Sequence, residues 1–194
     1  AQQADSNALL SGLLSKPDTL YGPLGLDATF RGDVANAVDS LAGRVDIGVE
    51  NGRLVGVSLL RSVFDRFGGL GNLALDLGRA FGGRDLQRFY GDEFQLFTGT
   101  LDLAGGVART DDLRLVYRGY TVTLRGSLGL ADLALDMAGD LTIGPELDAE
   151  LARELKLSDD YQPRERVLPL ASVRGTLGAP QVRLADGAAG RLAA

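Results

Sequence analysis

The chain has 194 residues, 45% of them apolar, and carries 20 basic against 26 acidic side chains for a net charge of −6. That length and composition belong to a folded protein with a real core, arranged as one sizeable domain or two small ones. Neither cysteine nor histidine occurs, which removes disulfides, thiolate nucleophiles, Cys- or His-based metal sites, Ser-His-Asp triads and the commonest general base. The acidic balance opposes contact with phosphate backbones, so no nucleic-acid partner is expected.

Taken in chain order, residues 1–23 are polar and then mixed, with Pro17 and Pro23 as breaks, and read as an N-terminal segment or linker. Ser6 to Ser15 can make a short helix around Leu9, Leu10, Leu13 and Leu14. The start has neither methionine nor a basic n-region, as expected of a processed protein or part of a longer one. No apolar run reaches the roughly 18 residues that a membrane-spanning helix needs. "LGLDATFRG" puts Leu24, Leu26, Ala28 and Phe30 on one side and Asp27, Thr29 and Arg31 on the other, the period of a half-buried strand. Asp33 can cap a helix through Val34, Val38 and Leu41 that Gly43 ends.

In "GRVDIGVENGRLVGVSLLRSVFDRF", Val45, Ile47 and Val49 alternate with polar residues up to Asn51-Gly52, which predicts a type I′ hairpin pairing Glu50 with Arg53 and Val49 with Leu54. Leu59, Leu60, Val63, Phe64 and Phe67 then share one side of a helix. Two further short helices are expected, "LGNLALDLGRAF" and "DLQRFYGDEF". Residues 94–143 follow as successive two-fold patterns separated by glycine or acidic turns, an antiparallel meander. "PELDAELARELKL" is helical, "SDDYQPRER" a polar loop, "VLPLASVRGTLGAPQVRLAD" strand again, and residues 185–194 a flexible tail.

"GLGNLA" has the spacing of a dinucleotide fingerprint, but a helix rather than a strand precedes it, so a helix connection is the better reading. "GGLGNLALD" has Leu73 where a calcium-binding nonapeptide needs aspartate. Arg31-Gly32, Arg125-Gly126 and Arg174-Gly175 each follow an alternating stretch and are expected to end strands. The acidic pairs Asp111-Asp112 and Asp159-Asp160 are expected in solvated turns. No catalytic or metal-binding set and no cofactor is expected. What remains are apolar strand faces: Leu113, Leu115 and Tyr117, then Tyr120, Val122 and Leu124, then Leu133, Leu135 and Met137. Spacing leaves open whether they fill a closed core or line a groove for an apolar ligand.

Three blocks in order resemble the C-terminal region of the AsmA-like family of bacterial envelope proteins. They are "VDIGVENGRLVGVSLLRSVFDRF", "FQLFTGTLDLAGGVARTDDLRLVYRGYTVTLRGSLGLADLALDMAGDL" and "LPLASVRGTLGAP", within residues 24–184. The resemblance implies an elongated periplasmic β-sheet groove, an inner-membrane anchor elsewhere in the full-length protein, and a role in moving phospholipid toward the outer membrane. This chain lacks the anchor and the long repeated groove-forming region.

The expected fold is therefore α+β, mainly an antiparallel β-sheet meander, one form of which is an open curved groove, with short amphipathic helices on one face or end. The expected function is non-enzymatic: a periplasmic domain supporting outer-membrane lipid homeostasis, with phospholipid or another acyl-chain lipid as partner. Its lipid-binding candidates are Leu113, Leu115, Tyr117, Val122, Leu124, Leu133, Leu135 and Met137. The alternative is a scaffolding domain that binds an envelope protein partner through an exposed strand edge.

Overall fold

Two-fold apolar spacing becomes strand throughout the described part of the chain. The structure, a computed structural model, describes residues 4–5, 20–32, 40–55, 60, 86, 88–154, 158 and 160–188. The strands are β1 (Ala4–Asp5), β2 (Leu20–Tyr21), β3 (Pro23–Arg31), β4 (Ala42–Leu54), β5 (Glu93–Ala104), β6 (Val107–Tyr117), β7 (Tyr120–Gly129), β8 (Ala134–Ile143), β9 (Arg166–Thr176) and β10 (Ala179–Leu184). They form one 10-stranded antiparallel sheet in the order β1-β3-β4-β5-β6-β7-β8-β9-β10, with β2 added to β4. The end strands β1 and β10 do not pair with each other, so the sheet stays open. One helix lies wholly within the described residues, α1 (Pro145–Glu154), between β8 and β9. The α+β expectation therefore overstated the helices: the fold is mostly β.

The expected meander over residues 94–143 is present as β5 to β8, each strand beside its sequence neighbour. Gly105 and Gly106, at φ 56° and 72°, supply the two left-handed residues of the β5–β6 turn. Described residues on either side of residues 24–184 pair or pack with the same sheet. β1 and β2 precede residue 24 and pair with β3 and β4, and Leu20 joins the core. Beyond residue 184, Ala185 N donates to Pro169 O and Ala188 is buried.

The Asn51-Gly52 hairpin does not form. β4 continues through both residues, with Glu50 opposite Leu96 and Arg53 opposite Glu93. A type I′ turn needs positive φ at both central residues, and only Asn51 has it, at 49°. Gly52 serves a close approach instead: a Cβ there would sit 2.4 Å from the Phe94 ring and 2.5 Å from the Tyr21 carbonyl oxygen. Gly52→Ala should therefore cost about 1–3 kcal/mol by overpacking, read as a lower urea midpoint with unchanged slope.

Asp111-Asp112 lies within β6, not in a turn. The register of β6 slips by one residue against both β5 and β7 at this point, so β6 carries a bulge. Asp112 repairs the interrupted ladder: its Oδ1 accepts from Thr100 N at 2.8 Å, and its Oδ2 lies 3.1 Å from the Thr100 hydroxyl. A second bulge falls on β9, where the register slips between β8 and β9 and again between β9 and β10. Bulges bend a strand and increase its twist, so these two curl the sheet at separated points. Arg125-Gly126 likewise sits inside β7, with Gly126 packed so that a Cβ would meet Asp136 O at 2.3 Å. Arg31-Gly32 and Arg174-Gly175 do fall at strand ends.

Donation from the Thr100 N–H, opposed by slight desolvation and aided by the Thr100 and Thr110 hydroxyls, holds the Asp112 carboxyl below its ordinary value of 3.8. A depressed carboxylate stabilises the fold above its unfolded value and loses that contribution as pH falls through the folded one. The urea midpoint of wild type should thus exceed that of Asp112→Ala at neutral pH. The gap should close only below 3.8.

The helices expected around residues 6–15, 33–42 and 70–81 lie outside the described residues, apart from the last residues of the second. The helix expected from Leu59 to Phe67 also lies outside them except for Leu60, which is helical and 1% exposed. The glycine patterns of residues 68–76, and Asp159, fall outside as well. Residues 88–92 of the third expected helix are turn and bend leading into β5.

Candidate functional site

Cross-strand register lines the apolar residues into rows on one face. One row runs Leu24, Val49, Phe97, Leu115, Val122, Leu141 and Leu168, one residue from each of β3 to β9. Beside it, Leu113 pairs with Leu124, which faces Gly139, which faces Leu170. Gly139 leaves no room for a side chain, since a Cβ would lie 1.9 Å from Thr123 O. The opposite face carries cross-strand ion pairs: Arg44 with Asp102 at 3.7 Å, Arg53 with Glu93 at 3.1 Å, and Arg174 with Asp136 at 3.1 Å. Exposed pairs of this kind add little stability, but they oppose a one-residue slip that would turn the apolar face outward.

All eight predicted lipid-binding residues are buried, from Val122 at 1% to Leu113 and Leu135 at 9%. Leu113, Leu115, Tyr117, Val122, Leu124, Leu135 and Met137 belong to a single core cluster with side chains of β2 to β10 and α1. Leu133 differs from its expected place. It precedes β8 with φ 57°, and its carbonyl accepts from Leu177 N, so it packs in a turn rather than on a strand face.

One end of this face is closed by α1 and by the residues before β5. Leu147 and Leu151 of α1 enter the core. At the β6–β7 turn, a Cβ on Gly119 would meet the Phe89 ring at 2.6 Å and Leu147 Cβ at 3.2 Å. Tyr117 and Tyr120 stack there with ring centroids 4.6 Å apart, and Phe94 meets Tyr117 edge-on at 6.3 Å. Both phenol oxygens are buried with no hydrogen-bond partner among the described residues. Burial, with the Asp92 charge adding, pushes the Tyr117 hydroxyl far above its ordinary value; burial and then Tyr117 do the same to Tyr120.

α1 itself is tied down by charge. Asp148 and Arg166, 3% and 4% exposed, meet at 2.7 Å, and Asp148 also accepts from Tyr161 OH at 2.6 Å and Arg164 N at 2.9 Å. Glu150, 7% exposed, takes Arg88 and Arg153, while Glu146 takes Arg88 and Arg118.

Beside this cap lies a cavity of about 860 Å³ whose lining includes Arg53, Arg88, Arg118, Phe89, Phe94 and Tyr117. The sequence reading missed it apart from Tyr117. Its residues come from β4, the turn before β5, β5 itself and the β6–β7 turn, and no local spacing marks such a set. Among the described residues no cluster of three or more carboxylates that could hold a metal occurs, and no helix is long and apolar enough to cross a membrane. Comparison with known proteins gives no matching family model, no matching curated protein and no matching solved structure.

Proposed function

We propose that this chain is a non-enzymatic periplasmic module of an AsmA-like envelope protein, supporting outer-membrane lipid homeostasis as a sheet-forming structural unit. The three sequence blocks supply the family reading, although residues 45–54 of the first lie in one strand where the family pattern has strand-turn-strand. The observation that carries the structural role is the burial of all eight candidate residues at 9% exposure or less. A face closed to that degree has no room along it for an acyl chain, so it stabilises a platform.

The platform's connecting surface is an open strand edge. β3 is paired along its length with β4, but on its other side only Pro23 and Leu24 have a strand partner among the described residues. Gly25 to Arg31 can therefore accept an added strand from an envelope protein or from another part of the same chain. The opposite edge is less suited to addition, because β10 is six residues long and includes Pro180, which has no N–H to donate.

A second reading, in which phospholipid lies along the strand faces, draws on the apolar row that crosses seven strands without interruption. The two readings part in a transfer assay between donor and acceptor liposomes carrying fluorescent phospholipid. The structural reading expects the isolated chain to leave the exchange rate at its protein-free level. Stoichiometric extraction of phospholipid, lost when Leu124 is replaced by aspartate in a variant that still folds, would establish the second.

A further inference from the structure

The open β3 edge carries two charges that a single copy leaves unmatched. Asp27 and Arg31 are exposed on the polar face of the strand, and neither has an ion-pair partner among the described residues. Their cross-strand neighbours add repulsion: Asp27 stands directly opposite Asp46, and Arg31, opposite Ala42, lies diagonal to Arg44. Like charges facing each other across a strand pair are destabilising. Elsewhere on the same face opposite charges meet, as in Arg44 with Asp102, Arg53 with Glu93, and Arg174 with Asp136. Asp27 and Arg31 cannot satisfy each other, because the extended strand holds them about 13 Å apart. Edges are usually guarded by repelling charges, prolines or bulges. Between Leu24 and Arg31, β3 has no proline, keeps its register with β4 without a shift, and carries both signs of charge.

We propose that two copies of this chain pair through β3, antiparallel about a two-fold axis at Thr29, joining their sheets into one. Facing residues of an antiparallel pair share a side of the sheet, so the axis lies between one residue and its equivalent. At Thr29 it sets Asp27 of each copy opposite Arg31 of the other, and every unmatched charge gains a partner. An axis at Asp27 would face that carboxylate with itself and collide with β1, which already takes Pro23 and Leu24. An axis at Ala28 would leave Asp27 opposite Thr29 and Arg31 opposite Gly25. The Thr29 register uses Leu26 to Gly32, clear of β1, and closes about six backbone hydrogen bonds. The proposal rests on the open β3 edge of the structural reading and names its occupant as a second copy.

Sedimentation velocity over a concentration series tests it with charge reversals. Wild type should pass reversibly from monomer to dimer, and rising salt should weaken the dimer because its ion pairs are exposed. Asp27→Arg and Arg31→Asp each turn both pairs into like charges, so each should weaken self-association by about tenfold or more. An equimolar mixture of the two variants should regain wild-type affinity within about threefold, since every charge across the mixed dimer again meets its opposite. The double variant should do the same, and recovery in the mixture shows that both single variants fold. Hydrogen exchange of the Gly25 to Arg31 amides separates failure of the dimer from failure of the open edge. A monomer at every concentration whose outward amides exchange fast would overturn the dimer and leave the edge to another chain. A monomer with those amides protected would overturn the open edge as well. A dimer unchanged by either reversal would place the contact elsewhere and overturn the proposal.

Discussion

Leu115→Asp should abolish cooperative folding. Leu115 is 4% exposed and stands in the middle of the seven-strand row, between Phe97 and Val122. A carboxylate there loses its hydration between the apolar Phe97 and Val122, and the leucine's packing is lost as well. The combined cost exceeds about 5 kcal/mol, comparable to the whole stability of many domains. The expected readout is a flat thermal melt and loss of the strand signal in circular dichroism. Gln181→Asp, on the exposed side of β10 opposite Arg174, should by contrast stay within about 0.5 kcal/mol of wild type. A folded Leu115→Asp protein with a normal melt would mean that the row faces open space.

Asp148→Ala should cost about 3–5 kcal/mol, because it removes the carboxylate that meets the buried Arg166 guanidinium, 4% exposed, at 2.7 Å, and the acceptor for Tyr161 OH and Arg164 N–H. Urea denaturation would read this as a large drop in midpoint. The double variant Asp148→Leu with Arg166→Met should recover part of the loss by removing both charges, while the two remaining donors stay unmatched. A cost for Asp148→Ala below about 1 kcal/mol would show that water reaches the pair and that α1 is held by Leu147 and Leu151 alone. The pair closes the α1–β9 connection, so its loss should also loosen the cap over Tyr117 and Tyr120.

Strand positions were legible because two-fold alternation survives burial on one face only, and β5 to β8 follow it in order. The Asn51-Gly52 error has a definite origin. Asn-Gly between alternating runs is a strong local turn signal, yet β4 stays in register with β5 across it, Glu50 opposite Leu96 and Gly52 opposite Phe94, while on the other side β3 pairs up to Val49 and β2 from Arg53. Tertiary pairing outweighed local preference, and the glycine was required by Phe94 rather than by a turn. Asp111-Asp112 misled for a related reason: polar pairs mark turns on average, but here one of them satisfies a donor that a bulge left free. The eight apolar positions could be chosen from spacing, whereas their closure could not, because it depends on which side chains the curled sheet and α1 bring against them. Asp148 reads in sequence as a helix polar position; only the return of the chain at Arg166 makes it a buried pair.

Whether the inner face is closed can be measured directly, because the chain has no cysteine of its own. Single cysteines at Val122, Thr123 and Leu124, three successive residues of β7, sample alternate faces of one strand. The native variants would be exposed to a maleimide and the labelling rates compared with those in denaturant. A closed core predicts rapid labelling of Thr123→Cys and protection of Val122→Cys and Leu124→Cys until the protein unfolds. Labelling of all three at similar rates under native conditions would contradict the account and make the row the lining of an open groove.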